Sequence, residues 1–553
     1  MAVLELVEWP ISLCTLTYKF LYRIDIVRFN QFTKFVKNKT INMKKTLLAS
    51  LTVVLASATF AQTKYVDKVI AADKITVTKN VSYGDNYTVL TGTPTLTSKV
   101  AMAPGYGFVA MTADIYEPQD GASNRPLIIF THSGSFLPRY SNNSPVGYKD
   151  DSATVAFCMS LAQRGYVVAS MTYRMGWNPA AATVDLRKQG IINAAYKGVQ
   201  DLATCVRFMK KGVKEGGNPY KIDTTKIAVG GNGTGGYITS AYASIDRQSE
   251  IKSIKFRDAS TGKVMVNDTM WGDRTGVGID NPAMGMFCKS NHVGYTSNAR
   301  LAFAVGGAIG DSAWMEKGEI PLIWSHSVMD PFAPYTTGMV NVPGTTLQVV
   351  EVSGGFDAMK RCQRLGNTSP YKGKVMDDYT RAANVLNKGI DGLFPVAGLA
   401  NASGPYEWYD TARIKMLPSP PYSPAVILAG IKASNPMHSK AKSMKYVDSI
   451  MGYMAPRIAV SLGLVASVGI EEANLGSNVT LAPNPAQNQL IIHNNWDNRV
   501  LLGASLVDIN GRVVREFAIN GNHNVYELNV PTGIYVVRMQ FNDGVGSSKL
   551  MVD

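Results

Sequence analysis

Six short, continuously apolar runs constrain this chain more than anything else in it: PLIIF (Pro126–Phe130), GYVVASMTYR (Gly165–Arg174), KIAVGG (Lys226–Gly231), RLAFAVGGAIG (Arg300–Gly310), IPLIWSHS (Ile320–Ser327) and TLQVVEVSG (Thr346–Gly354). A run that is apolar without alternation reads as a strand buried on both faces. Helical spacing fills the intervals. Ala195, Val199, Leu202, Val206 and Met209 line one helix face, and Asp151 to Gln163 carries a similar stripe. Strand and helix in alternation predict a mostly parallel sheet covered by helices. Ahead of these runs, Thr63 to Pro118 alternates polar and apolar positions and ends in FVAMTADIYEP, which predicts antiparallel strands opening the sheet.

With 553 residues, 46% hydrophobic and 17% charged, the chain has ample material for a large core and at least one further domain. Its net charge of +14 is diffuse. Residues 1 to 61 supply +5, the segment from Glu471 onward is −3, and the remaining +12 is spread over the middle without a Lys/Arg block. No reader motif or basic stripe accompanies the charge, so it reads as a solvated surface and not as nucleic-acid binding.

Residues 1–42 read as a gene-start extension, and 43–61 (MKKTLLASLTVVLASATFA) as a secretory signal peptide cleaved after Ala61. Leu47 to Ala61 is short against the roughly 20 apolar residues a membrane helix needs, and no transmembrane span is expected once the leader is removed. Outside the cell Cys158, Cys205, Cys288 and Cys362 could form up to two disulfides or stay as buried thiols. No CxxC occurs and the six histidines are scattered, so neither a metal site nor a cofactor is expected.

Two stretches carry chemistry. At the end of the first buried strand, THSGSF (Thr131–Phe136) follows a His with small residues that let backbone N–H groups approach a developing oxyanion, with Gly134 and Ser135 as donors and Thr234 as a third. Further on, GGNGTGG (Gly230–Gly236) has the shape of a nucleophile elbow. On the G-x-S-x-G pattern Gly231 and Gly235 take the flanking places, and the apex, where a serine belongs, falls on Gly233. Ser240 lies too far into the following helix to substitute.

The order DIYEP, HSGSF, LAQRGYVVASMTYRMGWNP, DLATCVRF, IAVGGNGTGG and SHSVMDPFAPY resembles secreted α/β-hydrolase-fold esterases over Thr63 to Leu462. The resemblance implies an α/β-hydrolase domain over 62–470, with Asp330 in the triad-acid position and a histidine just past the last strand, TLQVVEVSG. That place reads GGFDAMKRC, and His438 is the remaining base candidate. With glycine at the apex, three functions stand open. The first is a catalytically impaired, ligand-binding hydrolase fold whose ligand is an ester, glycan or peptide. The second is an active ester hydrolase using Thr234 or a water activated by Asp330. The third is a surface adhesion or scaffold protein. The loops Gly134 to Asp151 and Ser253 to Ala299 would shape the pocket, and GPYEWYD, around Trp408, would line it or pack beneath it.

From 471 to 553 the texture changes to about seven short alternating strands with turns at Asn510-Gly511 and Asn542 to Gly544, which predicts a small all-β sandwich. The motifs APNP, DINGRVV, PTGIYVVR and SKLMV over Leu475 to Asp553 resemble the type A sorting domain of the type IX secretion system. The resemblance implies export by that machinery, with the mature chain secreted or held at the outer-membrane surface.

Overall fold

A computed structural model describes residues 63–89, 98–103, 106–275, 277–342, 345–397, 403–435, 438–469, 476, 478–497, 499–508, 512–542 and 545–553. The extension and the leader lie outside these residues, as do parts of the two C-terminal turns. The chain divides into two compact units, one running to Lys372 and resuming over Ala382–Val465, the other comprising Gly373–Arg381 and Ala466–Asp553.

The first unit is built on a nine-stranded sheet. Its strands are β1 (Ile75–Val89), β2 (Ser98–Ala103), β3 (Tyr106–Pro118), β4 (Arg125–Thr131), β5 (Val167–Met171), β6 (Ile222–Asn232), β7 (Leu301–Val305), β9 (Leu322–Ser327) and β12 (Leu393–Val396), with β8 (Ala308–Ile309), β10 (Thr337–Asn341) and β11 (Gln348–Gly354) set apart. The order is β1-β3-β5-β4-β6-β7-β9-β12, with β2 on β3. From β5 to β12 every pairing is parallel, while β1, β2 and β3 are antiparallel. Every residue of β4, β5, β7 and β9 is buried, as their unbroken apolar letters require. Helices α1 (Ser152–Ala162), α2 (Val184–Glu215) and α3 (Thr234–Ser244) cross between β4, β5, β6 and β7. The expected stripe of α2 is buried at Val199, Leu202, Val206 and Met209, and the Thr183 side chain caps the helix by accepting from the Leu186 N–H. The C-terminal part of the unit adds α4 (Gly355–Arg364), α5 (Pro424–Ser434) and α6 (Lys440–Ser461).

One strand assignment from sequence fails. TLQVVEVSG does not close the main sheet: β11 lies in a three-stranded antiparallel sheet, β8-β11-β10. Gln348 and Glu351 are exposed while the other five residues are buried, so the strand is not buried throughout. The true last strand is the four-residue LFPV of β12, whose Pro395 is tolerated because the strand is an edge. The cysteine alternatives also resolve, since Cys158, Cys205, Cys288 and Cys362 are all buried, unpaired thiols.

Among the described residues the second unit holds a two-stranded parallel ladder, Val375–Met376 on Val468–Gly469, and seven short strands in two antiparallel sheets, β13 (Val479–Ala482), β14 (Gln489–Asn494) and β17 (His523–Glu527) in one, and β16 (Val513–Ala518), β15 (Leu501–Val507), β18 (Gly533–Phe541) and β19 (Val545–Val552) in the other. Leu490, Ile492, Leu506, Val537, Met539 and Leu550 form its core. Alternate residues of β18 are buried, the pattern of a sandwich strand with one face in the core. Among the described residues no helix is long and apolar enough to cross a membrane.

Candidate active-site cleft

The turn between β6 and α3 has one residue outside both elements, Gly233, at φ +55° and ψ −115°. Its N–H donates to Val305 O (2.8 Å) and its carbonyl accepts from Gly236 N–H (2.9 Å), so both flanks are pinned. A Cβ on Gly235 would stand 2.2 Å from Thr131 O, which leaves only glycine on that side of the turn. The backbone thus forms a sharp strand-to-helix elbow with Gly233 at its tip. A Cβ on Gly233 would meet Ser133 Oγ at 2.1 Å and Ser133 Cβ at 2.8 Å. The space in which an elbow side chain would stand is filled by the hydroxymethyl group of Ser133, a residue that sequence reasoning passed over as one small residue among several.

The loop after β4 faces this tip. The His132 ring stacks on Tyr173 (4.4 Å between centroids), its Nδ1 lies 2.6 Å from Ser133 O, and burial pushes its pKa down to about 3, so the ring is neutral. Ser135 stands at φ +56°; its carbonyl accepts from Trp177 Nε1 (2.8 Å), and its N–H donates to Thr234 Oγ1 (3.0 Å). The carbonyl of Gly134 accepts from Asn142 Nδ2 (2.9 Å). The N–H of Ser135, expected to face an oxyanion, is therefore engaged by the threonine beside the apex. That side chain turns into the cleft.

Asp330 follows β9. Its Oδ1 accepts from the N–H groups of Phe332 (2.8 Å) and Ala333 (3.0 Å), which makes it a turn cap. Its Oδ2 lies 3.7 Å from His326 Nε2. That imidazole is committed to the backbone, with Nε2 donating to Ala333 O (3.0 Å) and Nδ1 accepting from Gly355 N–H (3.0 Å). His438 sits between α5 and α6, edge-on to Tyr409 at 5.1 Å, with its pKa lowered by burial.

No histidine occurs between His326 and His438, so the stretch from β12 up to His438 offers none. Its described residues bring other groups instead. Tyr406 OH donates to Val305 O (3.1 Å), the carbonyl that also receives the Gly233 N–H. Glu407 is buried, and that burial, with the charges of Asp151 and Asp330, pushes its carboxyl up to about 7 against the opposing hydrogen bond from Tyr409 OH. These residues are in the GPYEWYD motif, expected from sequence to line the pocket or pack beneath it; the signal for their placement was the short β12 just before them. Within the motif, Trp408 is held through its carbonyl, which accepts from Ser152 Oγ (2.6 Å).

Beside the elbow lies a cavity of about 150 Å³. Ser133, Ser135, Thr234 and Asn341 are among its polar lining residues, and the rest of its wall is mainly apolar and aromatic, with Trp177, Ile191, Ala195, Tyr237, Ala241 and Trp314 prominent. The two loops marked in the sequence contribute Ser135 and Phe136, and Phe256 and Val266. Among the described lining residues none is charged.

The first unit thus has the α/β-hydrolase fold, defined by the strand order, the helix crossovers and the elbow after β6. Residues 113–269 match the family model BD-FAE, and residues 480–553 match the secretion system C-terminal sorting domain. That domain assigns the chain to type IX secretion and so to the extracellular or cell-surface space. No curated protein matches the chain. Among solved structures it is similar to esterase 2 of the planctomycete Thermogutta terrifontis. The propionate-bound form is 15% identical over 54% of this chain and 82% of that one, with a TM-score of 0.29. The butyrate-bound form is 14% identical over 65% and 92%, at 0.31, and the apo form 13% over 65% and 91%, at 0.31.

Proposed function

We propose that this exported protein binds a small apolar acyl or aryl group beside its elbow and does not carry out acyl transfer. The observation that carries this reading is the elbow itself, turned as sharply as a nucleophile turn but tipped by Gly233, with the Ser133 hydroxyl in the space a side chain there would take. Covalent acyl transfer needs a hydroxyl or thiol and a base to activate it. Loss of such a nucleophile costs ~10⁶-fold in rate. The base is missing too, because no histidine occurs between His326 and His438, His326 is spent on backbone groups, and His438 packs edge-on against Tyr409.

The cavity sets the ligand class. Without a charged side chain it offers nothing to a carboxylate or ammonium, and with so few polar groups it disfavours a glycan. Its volume matches a space that takes a benzene ring, roughly 150 Å³. A ring or an acyl chain of similar bulk fits there, with a neutral carbonyl turned toward the Ser133 hydroxyl. Against a hydrolase using Thr234 or an Asp330-activated water stand the bonds already made by those groups, Thr234 Oγ1 with Ser135 N–H and Asp330 Oδ1 with its own turn.

Butyrophenone, a benzene ring bearing a carbonyl, is a direct probe. Trp177 and Trp314 line the cavity, so titration should give a saturable change in tryptophan fluorescence that Ala195→Leu abolishes by filling the space. A non-saturable response, or one that Ala195→Leu leaves unchanged, would remove the cavity from the account.

A further inference from the structure

The second unit carries two histidines that face each other across its three-stranded sheet. His493 on β14 and His523 on β17 stand directly opposite each other in the antiparallel register. Asn494 N–H donates to Asn522 O (2.7 Å), so the neighbouring pair is the hydrogen-bonded one and the histidines occupy a non-hydrogen-bonded position, where facing side chains come closest. Both rings are on the outer face, since the alternate residues Leu490, Ile492 and Asn524 point into the core. Their Nδ1 atoms are 3.3 Å apart and their ring planes are inclined at 61°.

We propose that His493 and His523 form a two-imidazole chelate for a borderline divalent cation of the zinc or copper class. Two nitrogens bound at about 2.0–2.1 Å to one tetrahedral ion stand roughly 3.3–3.4 Å apart, the separation already present between these rings. Imidazole suits zinc, copper and nickel, and calcium or magnesium would find no oxygen cage here. Among the described residues no third His, Cys, Asp or Glu joins the pair, so water fills the remaining positions and the site is open and exchangeable. On β14's other side Thr480 faces His493, with its hydroxyl accepting from Asn495 Nδ2 (2.9 Å), so the pair is flanked by a neutral group. β17 is the edge strand of its sheet, and an ion held across it ties that edge to β14. An ion bound to this folded pair and not to the unfolded chain raises the stability of the unit by mass action.

The test is titration of the full-length mature chain with Zn²⁺ alone by calorimetry, beside His493→Gln and His523→Gln. Both rings are at the surface and make no backbone ladder bond, so the variants keep the fold. The expected result is a site of one equivalent whose affinity falls at least tenfold in each single variant, because a lone imidazole loses the chelate. As a second readout, the Cu²⁺-loaded chain should give an electron paramagnetic resonance signal with two nitrogen ligands, reduced to one in either variant. Zinc binding that both variants leave unchanged, or a copper signal without two nitrogens, would overturn the proposal.

Discussion

At the elbow, one atom's position decides what substitution does. A Cβ on Gly233 would overlap Ser133 Oγ at 2.1 Å, so restoring the serine of an active elbow is not a neutral change here. Gly233→Ser should destabilise the chain by about 1–3 kcal/mol without conferring esterase activity, and Ser133→Gly in the same chain should recover most of that loss. Urea unfolding of the two single variants and the double variant measures the coupling. Glu407 gives a second residue-scale expectation. Its carboxyl is held at about 7 against an ordinary 4.5, so the folded state keeps a proton that the unfolded state has shed. Stability from this group is full below about pH 4.5 and is lost as pH rises through 7; Asp151, pushed up to about 6 by burial, adds in the same direction. Unfolding midpoints should therefore fall from pH 5 to pH 8, and Glu407→Gln should flatten that decline by at most roughly 3 kcal/mol. A midpoint that rises over this range contradicts the assignment.

At the scale of elements, α2 joins packing to the candidate site, because its residues Ile191, Ala195 and Val199 face the cavity while Leu202, Val206 and Met209 hold the core. Its start depends on the Thr183 cap, and Thr183→Ala should cost about 0.5–2 kcal/mol and weaken the butyrophenone response, since the cavity wall begins two turns later. Thermal unfolding and fluorescence titration check the two halves of that statement. The same elements show what sequence could and could not convey. β4, β5, β6, β7 and β9 were legible because burial on both faces demands unbroken apolar letters, and the elbow was legible because a turn that tight admits only glycine at fixed offsets. β12 was not legible: four residues with a proline carry no periodicity, and the stronger pattern of β11 took its place. With β12 lost, Tyr406, which follows it, could not be set beside the elbow. Ser133 escaped for a different reason. Its role follows from a through-space contact with Gly233, a hundred residues away, which no local pattern encodes.

For the whole molecule, the sorting-domain match falls in one unit and the proposed binding cavity in the other. The C-terminal unit has its own core and the sorting-domain match, so removal of Thr480 to Asp553 should leave the protein inside the cell envelope, read by fractionation and immunoblotting. Processing at the other end should give a mature chain beginning at Gln62, read by amino-terminal sequencing. The α/β-hydrolase unit holds the elbow, the cleft and the cavity, and its central property is a vacant nucleophile position beside an apolar cavity. The most direct measurement is release of nitrophenol from nitrophenyl butyrate by the purified natural protein beside Asp330→Ala and Thr234→Val. The account predicts the same background rate from all three. Saturable turnover by the natural protein that either substitution abolishes would contradict it and identify a working hydrolase with an unconventional centre.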